Sequence, residues 1–303
     1  MYKIALFGYS FSGKTALFRE VTGREDEIYD PSRPNVGVAS FKDENLDKVA
    51  GAAGAKKRVY PEFEFFDYKG FPESSGFSEE YLRNLLGVDL ILCVVDNFRE
   101  DSHPEKDSGS ILMELILYDA ARIEKLMGRK TEEGKAPSSQ QLHALETGLK
   151  LLEEEKMLYA MDEDNKKLLQ GMEFLTAKPV VFYINGSKRS ILPASTHVIQ
   201  DVRDFNSGIF YETLIKALSL VTFYTIKGDI AQGWLVPGSF TARESAGRVH
   251  RDIEKGFIRA ATIHFKDFIE IGDWHKAKSS GILKFLGPNS KISDRDVVEF
   301  YFH

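Results

Sequence analysis

Gly8-Tyr9-Ser10-Phe11-Ser12-Gly13-Lys14-Thr15 is the stretch on which the fold turns. It fits the pattern G-x-x-x-x-G-K-[ST], and it follows the apolar run Tyr2–Phe7 and opens a segment, Thr15 to Val21, with helical character. In that setting the glycines let the backbone curl so that its N–H groups point at a phosphate, assisted by the start of the helix. Lys14 is placed to neutralise charge on the β- and γ-phosphates, and the Thr15 hydroxyl to bind Mg²⁺. The expected nucleotide-binding residues are Ser10, Phe11, Ser12, Gly13, Lys14, Thr15 and Ala16.

Working outward, a second acidic oxygen ligand is expected at the end of a nearby strand. Glu62-Phe63-Glu64-Phe65-Phe66-Asp67-Tyr68-Lys69-Gly70 supplies it as D-x-x-G, with Asp67 beside Mg²⁺ and the Gly70 N–H directed at a γ-phosphate. The alternative for this segment is an ordinary strand end with a tight turn. Strand-like runs at Val36–Phe41, Val59–Asp67, Asp89–Asp96 and Pro179–Asn185 alternate with helical segments, which argues for an α/β fold. The expectation is a mostly parallel sheet with helices on both faces.

Between Asp96 and Pro179 the texture becomes helical. Leu112, Leu115, Asp119, Ile123 and Leu126 recur at helical spacing, and Leu142, Leu145, Leu149, Leu152, Lys156 and Tyr159 follow a heptad. With the connector Gly128–Ser139 between them, they read as an antiparallel helical hairpin inserted before the last strand; two helices packed on the sheet are the other reading. The stretch from Asn185 to about Asn206 reads as irregular, and Gly208–Leu218 as a helix. Beyond Ser219 come short β-like runs, Val221–Ile226, Gly233–Val236, Arg259–His264 and Val297–Phe302, with a helix containing Ala246 to Ile253. That describes a small α+β module.

Charge divides the chain at the same place. The 303 residues carry a net charge of −6, yet residues 219–303 hold 12 Lys+Arg against 10 Asp+Glu, which leaves −8 on the body. Any affinity for nucleic acid is therefore expected in the C-terminal part. There the series Arg243, Arg248, Arg251, Lys255 and Arg259 is interleaved with Glu244, Asp252 and Glu254, so it reads equally as a phosphate-tracking or a solvated mixed-charge face. Cys93, the single cysteine, excludes an intramolecular disulfide and a Cys-rich zinc site. No apolar run approaches a membrane span and no signal-peptide pattern opens the chain, so a cytoplasmic address without membrane partners is expected. The histidines show no metal-ligand spacing, and no hydrolytic triad stands out.

These residues resemble the Obg-like ATPase, or YchF, family of P-loop proteins. The resemblance rests on the Gly8–Thr15 loop; Asn35-Val36-Gly37-Val38 with Asp43, Leu46, Asp47 and Lys48; and Phe174-Leu175-Thr176-Ala177-Lys178-Pro179-Val180 running into Asn185. It continues in Thr222-Phe223-Tyr224-Thr225, Ala246–Ile258 and Asp294-Arg295-Asp296-Val297-Val298, which are similar to the family's C-terminal TGS domain. The resemblance implies a nucleotide domain over 1–98 and 178–218, a helical hairpin or coiled-coil insertion over 99–177, and a β-grasp-like TGS domain over 219–303. It further implies ATP, or GTP, as ligand with Mg²⁺, Asn185 among the nucleotide contacts, and the ribosome or RNA as partner through the TGS domain and hairpin.

The departures from the family pattern concern catalysis. Pro31 stands where the family carries a switch threonine, and Asn185-Gly186-Ser187-Lys188 ends in an ammonium where a carboxylate reads the base. Selection of guanine by that route is thereby excluded, since an ammonium has donors only. Phe71 follows the D-x-x-G, as the family's hydrophobic substitution at that place leads one to expect, whereas the glycine-rich second switch is shortened to Phe71–Gly76 and Cys93 replaces the histidine on which the family relies. A buried cysteine behaves as a small hydrophobe, so the catalytic residues are left unassigned and turnover is expected to be slow or absent. A non-catalytic scaffold with a vestigial nucleotide site is the competing reading.

Overall fold

The structure, a computed structural model, describes residues 1–24, 33–71, 76–128, 136–186, 197–201 and 205–303. Pro31, Lys188 and the Pro72–Ser75 part of the second switch lie outside the described residues.

The chain opens with β1 (Tyr2–Phe7), α1 (Lys14–Thr22) and β2 (Asn35–Ser40), followed by α2 (Glu44–Ala52), β3 (Lys57–Val59) and β4 (Glu62–Asp67). It continues through α3 (Glu79–Asn84), β5 (Leu90–Asp96), α4 (Pro104–Met127), α5 (Ser139–Glu153), α6 (Glu163–Leu168), β6 (Val180–Asn185) and β7 (His197–Asp201). The C-terminal part holds α7 (Ser207–Ala217), β8 (Leu220–Lys227), β9 (Ile230–Pro237), α8 (Ala242–Val249), α9 (Arg251–Lys255), β10 (Phe257–His264), α10 (Phe265–Ile271), α11 (Trp274–Ser279), β11 (Lys284–Leu286) and β12 (Asp296–Phe302).

Two compact units result, one comprising Met1–Ala39 with Glu64–Asn206, the other Ser40–Phe63 with Ser207–His303. The first is built on a sheet of order β2-β4-β1-β5-β6-β7, in which β1, β5, β6 and β7 run parallel. Every residue of β5 is buried, so its sequence is a continuous apolar run without alternation, as expected of a parallel strand covered on both faces. In β4 the pattern alternates, and the period of two carries Phe65 and Asp67 inward, so a strand that packs by phenylalanines ends on a buried carboxylate. Ile111 and Leu115 of α4 pack with Phe7, Cys93 and Phe182 of the sheet, while Ile116 and Ile123 pack with Ala144, Leu145 and Leu152 of α5. One part of α4 thus covers the sheet and the other pairs with α5, so the hairpin reading holds and packing on the sheet is seen for α4, not for both helices.

Several sequence expectations are corrected. The insertion does not precede the last strand, since β7 lies beyond β6 in the stretch expected to be irregular and pairs with it from Val181–His197 to Asn185–Asp201. The second hairpin helix stops at Glu153 rather than reaching Tyr159, because Glu155 takes φ 57°, a left-handed conformation that ends the helix; Lys156 lies in the connection that follows and Tyr159 in a separate 3-10 turn, Leu158–Ala160. The helix expected over Ala246–Ile253 is broken at His250, which adopts extended backbone and uses its Nδ1 to accept from the Asp252 N–H, starting α9 anew.

The second unit is a mixed sheet of order β11-β10-β12-β8-β9-β3. Its members include α2 and β3, which depart from the first sheet after β2 and return in β4. β3 pairs parallel with β9, Leu46, Val49 and Ala50 of α2 enter a core with Tyr224, Ile263 and Phe268, and the Tyr224 hydroxyl donates to Asp43 at 2.5 Å. Asp43 also caps α2 by accepting from the Asn45 N–H at 2.9 Å. The sequence division at 219 therefore differs from the compact units, which also bring Ser40–Phe63 and α7 to the C-terminal part. Among the described residues, no helix is long and apolar enough to cross a membrane.

Candidate functional site

The loop Gly8–Gly13 joins β1 to α1, and its last residue decides its shape. Gly13 takes φ 96°, and a Cβ on it would lie 2.1 Å from the Asn185 amide nitrogen, so only glycine fits. Asn185 ends β6 and donates from Nδ2 to the Ser12 carbonyl at 3.0 Å, fastening that strand to the loop. Phe11 holds φ 65° and is 84% exposed, so the loop offers an aromatic residue outward at the cost of a left-handed backbone. The first N–H groups of α1, those of Lys14, Thr15 and Ala16, have no partner within the helix by the geometry of any helix start. They point out of it as anion donors.

Lys14 is 5% exposed and donates its Nζ to the Tyr9 carbonyl at 2.5 Å. Burial pushes its ammonium down from the ordinary 10.5 to about 8, with the nearby Asp67 carboxylate opposing the fall. Thr15 donates its Oγ1 to Asp67 Oδ2 at 2.8 Å, and Asn35 Nδ2 reaches the same oxygen at 3.4 Å. Thus the loop after β1, α1, β2 and β4 each contribute to one polar corner. Gly70 packs against it, since a Cβ there would lie 2.6 Å from Lys14 Nζ and 2.7 Å from Ser10 Cα. The residues expected from sequence at Ser10, Phe11, Gly13, Lys14, Thr15, Ala16, Asp67 and Gly70 all line one cavity of about 650 Å³. That volume is within the range of small-molecule sites. Ser12 is buried beneath the loop, with its hydroxyl lacking a hydrogen-bond partner among the described residues, and it lines a smaller cavity of about 240 Å³.

The oxygen set suits Mg²⁺. Thr15 and Asp67 supply two hard donors, and no group of three or more His, Cys, Asp or Glu is gathered among the described residues, so an all-protein cage is lacking. Mg²⁺ is commonly held by one or two such groups with phosphates and water completing its octahedron. Among the described residues, nothing at the site matches a catalytic base. Phe71 turns its ring into an aromatic cluster, 4.4 Å from Tyr81 and 5.8 Å from Phe77 between centroids, and Cys93 is fully buried in the sheet core with Phe7 and Phe182. Burial holds its thiol well above the ordinary range.

Sequence reading missed Phe98 and Arg99, which line the same cavity as the phosphate loop. Asp96, 2% exposed, accepts from the N–H groups of Phe98 and Arg99 at 3.0 and 3.4 Å and from Arg99 Nε. This turn leaves Phe98 52% exposed, lining the cavity. The available signal was position, since both follow the carboxyl end of a central strand, where open α/β sheets bind ligands. A cavity of about 590 Å³ beside α4 has no comparable chemistry, as Arg122 is committed to the Met172 carbonyl and Arg83 to Glu79.

Comparison with known proteins agrees along the whole chain. Residues 220–303 match the family model YchF-GTPase_C, described as a protein of unknown function (DUF933). The chain is 28% identical over 352 aligned positions to the protein called ribosome-binding ATPase YchF of Bacillus subtilis, covering 96% of each, and 27% identical to that of Escherichia coli O157:H7, covering 100% of this chain and 99% of that one. The alignments are longer than the 303 residues here, so this is a shortened relative. Among solved structures, that of the Schizosaccharomyces pombe YchF GTPase superposes with a TM-score of 0.77 over 99% of this chain and 97% of that one, at 19% identity, which speaks to the fold. From end to end, this chain is a homologue of the YchF family of P-loop proteins.

Proposed function

We propose that the chain is a regulatory P-loop protein that binds ATP, or GTP with relaxed base choice, together with Mg²⁺, hydrolyses it slowly if at all, and acts at the ribosome or on RNA. The observation that carries this is the convergence of Lys14, the Thr15–Asp67 pair and Gly70 on one cavity at the N-terminus of α1. The N–H groups of Gly13 to Ala16 hold the phosphate chain, the Lys14 ammonium balances its charge, and Asn185 keeps the loop in register with β6. Thr15 and Asp67 hold Mg²⁺, which when bound neutralises charge on the phosphate oxygens. Phe98 offers a ring face to the base, a mode that every base tolerates.

Slow turnover follows from Phe71 and Cys93, neither of which can orient or deprotonate water from its place in the core. The ribosomal role draws on the relatives, whose name is ribosome-binding ATPase. In this reading the hairpin of 99–177 and the TGS domain of 219–303 meet the ribosome, and the domain of 1–98 and 178–218 binds the nucleotide. Calorimetric titration of ATP into the wild type and Lys14→Ala tests it. At least a hundredfold loss of affinity in the variant is expected, and equal affinities would refute the site.

A further inference from the structure

The phosphate loop and the D-x-x-G loop are joined by contacts that nucleotide binding does not require. Ser10 donates its N–H to the Phe71 carbonyl at 2.8 Å, and Tyr9 and Phe71 form a parallel bridge. Gly70 lies so close to Lys14 Nζ and to the Ser10 backbone that even a methyl group would overlap both. Lys14 meanwhile donates to the Tyr9 carbonyl. The corner between Lys14 and Gly70, where D-x-x-G geometry puts a third phosphate, is therefore filled by main chain.

The ring of Phe71 keeps it filled. That ring meets Tyr81 and Phe77 edge-on, and Phe77 in turn stacks on Tyr9 at 5.4 Å, so the two bridged residues share one aromatic neighbour. We propose that Phe71 is a specificity-determining residue that pins the Gly70–Phe71 main chain over Ser10 and Lys14 and so makes the site favour a nucleoside diphosphate over a triphosphate. The proposal rests on the nucleotide reading above and deepens it. A diphosphate can lie along the N–H groups at the start of α1, which this contact leaves accessible. A third phosphate must displace the Ser10–Phe71 bond and draw Lys14 away from Tyr9. Releasing one main-chain hydrogen bond and part of an edge-on aromatic contact amounts to about a tenfold penalty on the triphosphate.

The test is calorimetry on the full chain with Mg²⁺, titrating ADP and the non-hydrolysable β,γ-imido analogue of ATP into wild type, Phe71→Ala and Phe77→Leu. Phe77→Leu loosens the same aromatic anchor without altering residue 71, so it decides the matter if Phe71→Ala does not fold. The wild type is expected to bind ADP about tenfold more tightly than the analogue, and a folded variant to narrow that ratio towards unity by gaining analogue affinity. A wild type that binds both equally, or a ratio that no folded variant changes, overturns the role of Phe71 while leaving the nucleotide site intact. Absence of binding of either nucleotide to the wild type overturns both readings together.

Discussion

Lys14→Met should stabilise the protein at neutral pH while abolishing nucleotide binding. The side chain is 5% exposed, and its fall from 10.5 to about 8 corresponds to ~3 kcal/mol of strain in holding a charged ammonium in the fold. Between pH 8 and 10.5 the unfolded chain carries more protons at this residue than the folded one, so stability rises with pH through that window; below pH 8 the penalty is present in full. Methionine removes the charge at nearly the same length but forfeits the bond to the Tyr9 carbonyl, about 1 kcal/mol, leaving a net gain of roughly 2 kcal/mol at pH 7. At about 2–4 °C per kcal/mol for a unit of this size, the transition that unfolds the phosphate loop should rise by roughly 5 °C. Differential scanning calorimetry of both proteins at pH 7 and pH 9.5 measures it, and the gap should be smaller at the higher pH. An unchanged or lower transition temperature for the variant at pH 7 would refute the assignment of Lys14 as a strained, functionally retained cation.

Gly13→Ala should cost roughly 2–3 kcal/mol of stability in the first unit, from left-handed backbone strain and from displacing Asn185 off the Ser12 carbonyl; chemical denaturation followed by aromatic fluorescence would detect it. Asp119→Ala should cost about 3 kcal/mol, because the fully buried carboxylate accepts from the N–H groups of Leu175 and Thr176 and from the Thr176 hydroxyl, and all three would be left unpaired. Tyr224→Phe should weaken the second unit by about 2 kcal/mol, seen as faster hydrogen exchange of α2 amides, since Asp43 would lose its buried hydroxyl donor.

The parts of this molecule legible from sequence are those set by local chemistry. A glycine that must take φ 96° next to a lysine and a threonine at a strand–helix junction admits few structures, and Asp67 is legible from the D-x-x-G that ends a strand-like run. What escaped is long-range. Leu46, Val49 and Ala50 form an ordinary apolar helix face, and nothing near them says that it packs with Tyr224 and Phe268. β3 and β11 have three residues each, too few to display a period of two. Phe98 and Arg99 carry no motif, and only the turn around buried Asp96 brings them to the cavity. The contact of Phe71 with Ser10 is likewise a main-chain bond between loops about sixty residues apart, outside the reach of any pattern.

The central claim, that Gly8–Thr15 with Asp67 forms a working nucleotide site, is tested most directly by calorimetry on nucleotide-stripped protein with ATP, GTP and ADP, each with and without Mg²⁺. Micromolar binding that tightens with Mg²⁺ and does not favour GTP is the expected result. Absence of binding by all three would contradict the account and leave the loop a structural turn.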